Sequence, residues 1–335
     1  MAAPLLASAA LIAIGIMVAL LLCARRVHAQ KRLREELAAR DRVEPILLAL
    51  LDGAEAGRQE STDDAALAAM LAELAPSLAG ETRRAIARHF ESSGAIGRAV
   101  RGLSHPLAHR RAESAAVLGD MCSDQAEPTL LMALNDRDPD VRLAATRSLG
   151  RLRARAAVIP ILHSLACRNV PRAVAANAVL TIGVAALPGL RALVSTEHPA
   201  TRAAAVELLG RLGNPRDGET LRDRLTDEAP LVRERACEAL AHIGADDIGQ
   251  ALEDLLADDV RNVRAAAAAA LATVGSPTNA SRLLEIVHDD CAEVAEIAAA
   301  TLASIAPGLV ERMGAHDNAH PRLRHAASML RAGLA

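Results

Sequence analysis

Aromatic residues are almost absent from this chain of 335 residues, which has no Trp, no Tyr and a single Phe, Phe90. Platforms for single-stranded nucleic acid and pockets for flipped bases depend on aromatic faces against which the bases stack. Sugar-binding clefts rely on the same faces. The composition therefore argues against these three classes of binding site, and we expect no nucleic-acid partner.

Lysine is equally rare, because Lys31 is the only one in the sequence. A phosphate-binding loop needs Gly-Lys followed by Ser or Thr, and a Schiff base needs a reactive lysine. The Gly-x-Ser-x-Gly turn of serine hydrolases is also missing. We therefore expect neither an enzyme nor a small-molecule substrate.

Cysteine and histidine do not form a recognisable site. The five cysteines are odd in number, at least 45 residues apart and without a C-x-x-C pair. None of the eleven histidines is followed directly by Glu, and no H-E-x-x-H motif occurs. The sequence therefore predicts no disulfide framework, no metal and no cofactor, and it indicates a reducing compartment.

Arginines, in contrast, recur at a nearly constant spacing through most of the chain. Seven arginines and one alanine follow one another at intervals of 29 to 31 residues, and we call these positions rungs: Arg111, Arg142, Arg172, Arg202, Arg233, Arg264, Ala295 and Arg324. A leucine or valine stands seven positions after each of the first seven rungs. A fixed period of this length indicates stacked copies of one supersecondary unit.

The prolines mark where the helices of each copy begin. One group precedes a short leucine-rich run, and a second group lies one to five residues before a rung, where it ends one helix and starts the next. The helix that carries the rung is rich in alanine, as in 265–270, so that neighbouring backbones can approach closely. Two helices and two turns fill about 31 residues and leave no room for a strand. The pattern predicts an all-α solenoid of antiparallel helix pairs.

One copy, from Asp138 to Leu152, reads D-P-D-V-R-x-x-A-x-x-x-L-G-x-L. This pattern resembles the HEAT-repeat family, and its short period resembles the bacterial HEAT-like type first associated with phycobilisome lyases. The resemblance implies a right-handed α-solenoid with about eight repeats over residues 96–335. It also implies a ladder of hydrogen bonds between a turn acid of each repeat and the rung arginines. The acids that the resemblance indicates are Asp138, Asp258 or Asp259, and Asp289 or Asp290, with Glu197 and Asp227 as substitutes.

The beginning of the chain has a different character. Residues 5–24 carry no charge, and at ~1.5 Å per residue they span the ~30 Å hydrocarbon core of a bilayer. Five basic residues follow within residues 25–34. Because basic residues remain cytoplasmic, residues 1–24 are predicted to be one transmembrane helix of the cytoplasmic membrane, with its N-terminus outside and the repeats in the cytoplasm. A cleaved signal peptide is the alternative.

Residues 25–95, between the anchor and the repeats, show helical apolar patterning and a polar break at 53–64. We expect them to form helices that cap the first repeat. Charge is uneven beyond them. Residues 96–175 contain 12 arginines and 7 acidic residues, whereas residues 214–315 contain 9 arginines and 19 acidic residues.

The rung helices of solenoids usually line the concave side, which suits a partner's helix or flexible segment. We therefore expect a non-enzymatic scaffold or adaptor that binds protein partners in a membrane-associated complex. The candidate partner-binding residues are Arg142, Arg147, Arg151, Arg153, Glu207, Arg211, Glu234, Glu238 and Glu296. The alternatives are a bilin lyase-like enzyme, which the repeat type alone suggests, and a nucleic-acid-binding protein that uses the basic repeats.

Overall fold

A computed structural model describes residues 2–52, 63–74, 80–245, 248–289, 291–316 and 318–333. Over these ranges the chain consists of α-helices, short 3-10 turns and connecting residues, without a β-strand. The all-α prediction is therefore confirmed. The chain divides into two compact units, residues 1–126 and 127–335, and each is described by itself.

The first unit begins with one long helix and continues with shorter ones. Its α-helices are α1 (Ala2–Leu51), α2 (Asp64–Leu74), α3 (Gly80–Ser92), α4 (Ala95–Gly102) and α5 (Ala108–Asp120), followed by a 3-10 turn at Asp124–Ala126. The backbone of α1 runs without a break through the predicted anchor and 27 residues beyond Ala24. Most side chains of residues 1–24 lie outside the described part, and so does most of the predicted break at 53–64.

The C-terminal half of α1 packs against α2 and α3. Val43 and Leu50 of α1 are 2% exposed, and Phe90, the single aromatic residue, is fully buried in α3. Arg42 holds Asp63 through two hydrogen bonds of 2.7 and 2.8 Å. The region predicted as capping helices thus forms a helical core of its own.

The second unit is a series of helix pairs. The first helices of the pairs are α6 (Glu127–Ala133), α8 (Val158–Ala166), α10 (Leu187–Leu193), α12 (Gly218–Arg222), α14 (Gly249–Leu255), α16 (Ala280–Ile286) and α18 (Pro307–Gly314). The second helices, which carry the rungs, are α7 (Pro139–Leu152), α9 (Arg172–Ile182), α11 (Pro199–Leu212), α13 (Pro230–Ile243), α15 (Arg261–Val274), α17 (Ala292–Ile305) and α19 (Pro321–Arg331). Single 3-10 turns at 155–157, 183–186, 215–217, 223–226 and 277–279 complete the pairs.

These helices form two layers. Each first helix packs against the second helix of its own pair, and successive second helices pack side by side. The residue seven positions after each rung from Arg142 to Ala295 is fully buried: Leu149, Val179, Leu209, Leu240, Leu271 and Leu302. Because successive second helices pack side by side, each pair completes the burial of its neighbour, which is the packing of a solenoid.

One segment of the second unit, Arg172–Leu193, is long and apolar enough to cross a membrane by length and composition. It consists of α9, a 3-10 turn at Gly183–Ala186, and α10 rather than one continuous helix. Both helices pack against their neighbours in the array, and 44% of the segment is buried. Its apolar character is accounted for by the core of the solenoid.

A ladder of guanidinium and carboxylate groups joins successive pairs. Arg202 donates to Asp227 through Nε (3.0 Å) and Nη2 (2.8 Å). Arg233 binds Asp258 in the same way at 2.7 and 3.0 Å. Each aspartate stands 25 positions after its arginine, and each also accepts the backbone N–H two residues further on. The bidentate geometry is the strongest form of an arginine–carboxylate bond.

Arg264 repeats the arrangement with Asp289, at 2.7 and 2.9 Å. The sequence left open whether Asp258 or Asp259, and Asp289 or Asp290, belong to the ladder. The structure shows that the ladder acids are Asp258 and Asp289. Asp227, which was expected as a substitute, binds its arginine in the same bidentate way. The prediction for Asp138 is wrong. Its side chain accepts the N–H of Asp140 (3.0 Å) and caps the start of α7.

The ladder groups are withdrawn from solvent. The Arg202 and Asp227 side chains are 6% and 5% exposed, and those of Arg233 and Asp258 are 17% and 8% exposed. Burial alone would raise the pKa of Asp258, but hydrogen bonds from Arg233 and from the N–H of Val260 outweigh it and lower the pKa. The ionised pair is therefore the stable form at neutral pH.

We expect Arg233→Ala to lower the free energy of unfolding by about 3 kcal/mol at pH 7, because it leaves the Asp258 carboxylate buried without its partner. Urea unfolding of the detergent-solubilised chain, followed by circular dichroism, measures the change. Asp258 has a lowered pKa in the folded state, so the ladder contributes stability above the ordinary value of 3.8 and loses it as the pH falls further. The deficit of the variant should therefore shrink below about pH 4.

Arg261→Ala is the matched control, because Arg261 is exposed at the first position of α15. Removing a positive charge from the N-terminal end of a helix should leave stability within about 0.5 kcal/mol of the original. Equal losses in the two variants at pH 7 would show that the ladder adds nothing beyond a surface arginine.

Glycines set the distance between some second helices. A Cβ atom built on Gly210 of α11 would lie 2.5 Å from Cα of Ala239 in α13, and one on Gly150 of α7 would lie 2.9 Å from Cα of Ala178 in α9. Both contacts are with backbone, which cannot rotate away. The close approach that the alanine-rich helices predict therefore depends on these two positions.

Gly210→Ala should destabilise the chain by about 2 kcal/mol, because the overlap with α13 outweighs the ~1 kcal/mol that alanine gains over glycine inside a helix. Thermal unfolding in detergent measures it. In the control Gly97→Ala, on the exposed side of α4, the nearest atom to the new Cβ is the mobile end of Arg101 at 3.8 Å. That variant should be slightly stabilised, and stabilisation of both would disprove the close-packing argument.

Candidate functional site

One face of the second-helix layer is open to solvent along the second unit. The residues five and nine positions after each rung are exposed or half-buried, and we call them the second-helix face: Arg147, Arg151, Asn177, Thr181, Glu207, Arg211, Glu238, His242, Ala269, Thr273, Ala300, Ser304 and Met329. Positions four apart lie on the same side of a helix. Because the second helices pack side by side in one register, these residues form a continuous surface.

Most of the predicted binding residues lie on or beside this face. Five of them belong to it by definition: Arg147, Arg151, Glu207, Arg211 and Glu238. Glu234 and Glu296 stand one position after their rungs, and Arg153 ends α7 in a left-handed conformation, with φ of 57°. These eight residues are thus distributed over α7, α11, α13 and α17.

Arg142 has a different position. Its guanidinium donates to the carbonyl oxygens of Asp136 (2.9 Å), Arg137 (3.2 Å) and Asn169 (2.9 Å). It lies at the N-terminal end of the second helices, in the line of the ladder, whereas the face runs along their sides. The structure therefore places Arg142 with the ladder arginines.

Three of the four acidic candidates, Glu207, Glu234 and Glu238, are bound to neighbouring arginines. Glu207 pairs with Arg172 and lies 3.9 Å from Arg211. Glu234 and Glu238 both pair with Arg235, at 3.3 and 2.5 Å. This part of the face is therefore close to neutral, although its sequence region is strongly acidic.

The basic candidates at the α7 end of the face have fewer acidic neighbours. Arg147 and Arg153 are exposed, and their guanidinium groups form no ion pair with the residues that the structure describes. Nη2 of Arg151 donates to Oγ of Ser148 at 3.0 Å. Arg147, Arg151 and Arg153 form the α7 basic patch, which carries net positive charge.

The opposite end of the face contains a groove between α17 and α19, with a volume of about 640 Å³. Alanines of α17 and Met329 of α19 line it, together with Glu296, Arg322 and His325. Only Glu296 was predicted. The sequence could have indicated this groove, because its alanines occupy the positions that are exposed in other repeats.

Groups that could support catalysis or metal binding were searched among the described residues. They contain no cluster of three or more His, Cys, Asp or Glu side chains arranged for a metal ion. Cys237 is fully buried in α13, and burial raises the pKa of its thiol to about 12. It stays protonated at neutral pH and is a small core residue, as its helical position predicts.

Comparison with known proteins identifies the repeats. The family model of HEAT repeats matches residues 98–183, 157–237 and 218–303, which together cover more than half of the chain. The chain belongs to the HEAT-repeat family. The resemblance found in the rung pattern is thereby confirmed, and no curated protein matches this HEAT-repeat chain.

Several solved structures are similar in fold. Human deoxyhypusine hydroxylase is 19% identical, with 80% of this chain and 97% of that chain covered and a TM-score of 0.32. The CpcE and CpcF complex of the phycocyanin lyase from Nostoc is 22% identical, with coverage of 83% and 97% and a TM-score of 0.27. The karyopherin Kap121p, bound to the extreme C-terminus of the phosphatase Cdc14p, is 13% identical, with coverage of 80% and 38% and a TM-score of 0.44. At these identities the likeness concerns the helical-repeat fold alone.

Proposed function

We propose that this HEAT-repeat protein is a membrane-anchored scaffold or adaptor that binds protein partners through its second-helix face and catalyses no reaction. The observation that carries the proposal is the continuity of this face over seven second helices. An extended surface that changes from basic at α7 to small and apolar at α15–α19 suits an elongated peptide or helix.

The character of the side chains supports this role. Charged groups at the α7 basic patch would steer and orient an acidic segment, and the alanine positions near the other end would accept large apolar side chains of the partner. Such a surface supplies few free carboxylates that could donate or remove a proton at a reacting atom, because Glu207, Glu234 and Glu238 are held by arginines.

The anchor is the second part of the proposal. Residues 5–24 are uncharged, and α1 continues as one helix into a segment with five basic residues within 25–34. A helix that crosses the cytoplasmic membrane once and continues into the cytoplasm fits both features. The tether would raise the effective concentration of the repeats for partners in the same bilayer.

Replacing Ile12, Ile14 and Ile16 by arginine should prevent membrane integration, because each charge near the centre of a spanning helix costs about 2.5–3.5 kcal/mol. The readout is the fraction of full-length chain that remains in the membrane pellet after alkaline carbonate extraction. Replacement of the same three residues by leucine should leave that fraction unchanged. Extraction of the unsubstituted protein by carbonate, or removal of its first residues in cells, would contradict the membrane anchor.

Replacing Arg147 and Arg153 by glutamate should reduce partner capture about tenfold, because two favourable contacts become repulsive and each tenfold change corresponds to about 1.4 kcal/mol. The measurement is affinity capture from detergent-solubilised membranes with quantitative mass spectrometry. Arg216 and Arg261 are exposed arginines outside the face, and their replacement by glutamate is the matched control. Equal recovery of every captured protein in both double variants would remove the α7 basic patch from the proposal.

A further inference from the structure

The ladder follows one rule at the three rungs Arg202, Arg233 and Arg264, and Arg142 is one of the rungs that depart from it. At Arg202, Arg233 and Arg264, Nε and Nη2 hold the aspartate that stands 25 positions later. Nη1 donates to two carbonyl oxygens of the preceding turn. Each of the three nitrogens of these guanidinium groups therefore donates to an acceptor.

At Arg142 the twenty-fifth residue is Cys167, which has no carboxylate. Nη1 keeps its two carbonyl acceptors, and Nε donates to the carbonyl oxygen of Asn169 at 2.9 Å. Nη2 has no acceptor among the residues that the structure describes. This rung therefore keeps the arginine of the ladder and lacks the acid.

A missing helical turn opens space at the same place. The second helices α7, α11, α13 and α15 all begin three residues before their rungs, whereas α9 begins at its rung, Arg172. The residues that would form its first turn instead follow α8 as the loop 167–171. A cavity of about 640 Å³ results between the N-terminal ends of α7 and α11, and we call it the α9 pocket.

The α9 pocket combines positive charge with apolar walls. Arg142, Arg168 and Arg172 line it together with Leu143, Val170 and Leu231. Arg172 is already paired with Glu207. Arg168 is exposed, and its guanidinium has no hydrogen bond or ion pair within the described ranges. Leu231 is 38% exposed.

The backbone at Arg168 gives independent evidence. It adopts the left-handed conformation, with φ of 57°, in the turn after α8. Its N–H and that of Asn169 close the helix end on the carbonyls of Leu165 and Ser164. Glycine is the usual residue at such a position, since a side chain there costs free energy. An arginine at a strained position, with its charged group free, is a feature of functional sites.

We propose that the α9 pocket binds an acidic side chain of a partner peptide, whose carboxylate replaces the missing ladder aspartate at Nη2 of Arg142. This inference rests on the proposed function, because it names the chemistry of one contact that the scaffold makes. The carboxylate accepts from Nη2 of Arg142 and from the guanidinium of Arg168. An apolar residue next to the acid packs against Leu143 and Leu231.

The geometry of the ladder favours a carboxylate. At the three complete rungs Nη2 donates to an aspartate oxygen, and Nη2 is the nitrogen of Arg142 that remains without an acceptor in the described residues. The apolar walls favour a peptide over a free inorganic anion, because only a peptide brings an apolar side chain with the charge. An acidic segment is also what the α7 basic patch would attract.

The probe is a capped, fluorescein-labelled hexapeptide with Asp between two leucines, and its Asn counterpart is the comparison ligand. Fluorescence anisotropy with the full chain in detergent measures both affinities. We expect the Asp peptide to bind at least tenfold more tightly than the Asn peptide, since a charge-assisted hydrogen bond is lost in the latter. Inorganic phosphate is the competitor that tests for a general anion site. Its concentration is ~10 mM, which is ~100 times the dissociation constant of a site that binds phosphate with a Kd of ~0.1 mM.

Arg168→Gln should weaken binding of the Asp peptide about tenfold and leave binding of the Asn peptide unchanged. Arg168→Gly should weaken it equally while the chain becomes no less stable, because glycine relieves the left-handed backbone. Loss of binding therefore cannot come from misfolding. Arg216→Gln removes the same charge from an exposed turn outside the pocket and should change neither affinity.

The outcomes separate this inference from the proposed function. Equal affinities for the Asp and Asn peptides, displacement of the Asp peptide by phosphate, or full binding to the Arg168→Gln chain would each overturn the α9 pocket as a carboxylate site. Capture of membrane partners through the α7 basic patch would still stand in those cases. The opposite result is also possible. If membrane partners are not captured but the Asp peptide still binds in an Arg168-dependent way, the scaffold function is wrong and the α9 pocket remains a carboxylate site.

Discussion

The buried arginine–aspartate ladder is the interaction on which the rest of the array depends. Each aspartate accepts two bonds from the arginine of the preceding pair and one from its own turn, so it fixes both the shape of that turn and its distance from the neighbour. Hydrophobic burial alone would hold the pairs together without fixing the orientation of one pair relative to the next. The ladder fixes this orientation, because a bidentate bond tolerates little misalignment. At the three rungs Arg202, Arg233 and Arg264 these bonds fix the register between successive helix pairs.

The same ladder underlies the binding site that we propose at the α9 pocket. At a complete rung every donor nitrogen of the arginine has an acceptor, whereas the rung at Arg142 leaves Nη2 without an acceptor in the described residues. At Arg142 the chain compensates with a backbone carbonyl for one donor and leaves the site next to a cavity. The shortened α9 and the missing acid thus occur at the same helix pair, next to the α9 pocket.

Much of the fold could be predicted from the sequence, because the period of the rungs and the buried residue seven positions later are visible in single letters. The ladder acids were only partly predicted. Asp138 was assigned from its place in the turn motif, but what decides is the distance of 25 residues from an arginine, which the sequence also shows. Glu238 pairs with Arg235 three positions earlier in the same helix, a spacing that the sequence shows. The pairing of Glu207 with Arg172 was not predictable, because Arg172 belongs to the adjacent helix α9 and the two side chains meet only after packing. The α9 pocket was missed for a similar reason. The interval between rungs falls from 31 to 30 residues there, and that number does not reveal whether a turn or a helix has been shortened.

The scarcity of aromatic residues fits an array whose geometry is set by backbone contacts. At Gly210 and Gly150 the second helices approach so closely that a single methyl group would not fit, and large side chains would push the layers apart. Small residues therefore continue onto the exposed face, at Ala269 and Ala300, where they leave shallow depressions rather than projecting groups. In the function that we propose, a partner would bring the bulky apolar side chains itself, while this chain contributes the shape and a few charges. Specificity would then depend on those charges, because apolar contact with alanine discriminates poorly between partners. Arg147, Arg153 and Arg168 would accordingly have the greatest influence on which segment is accepted, since none of them forms an ion pair with the described residues.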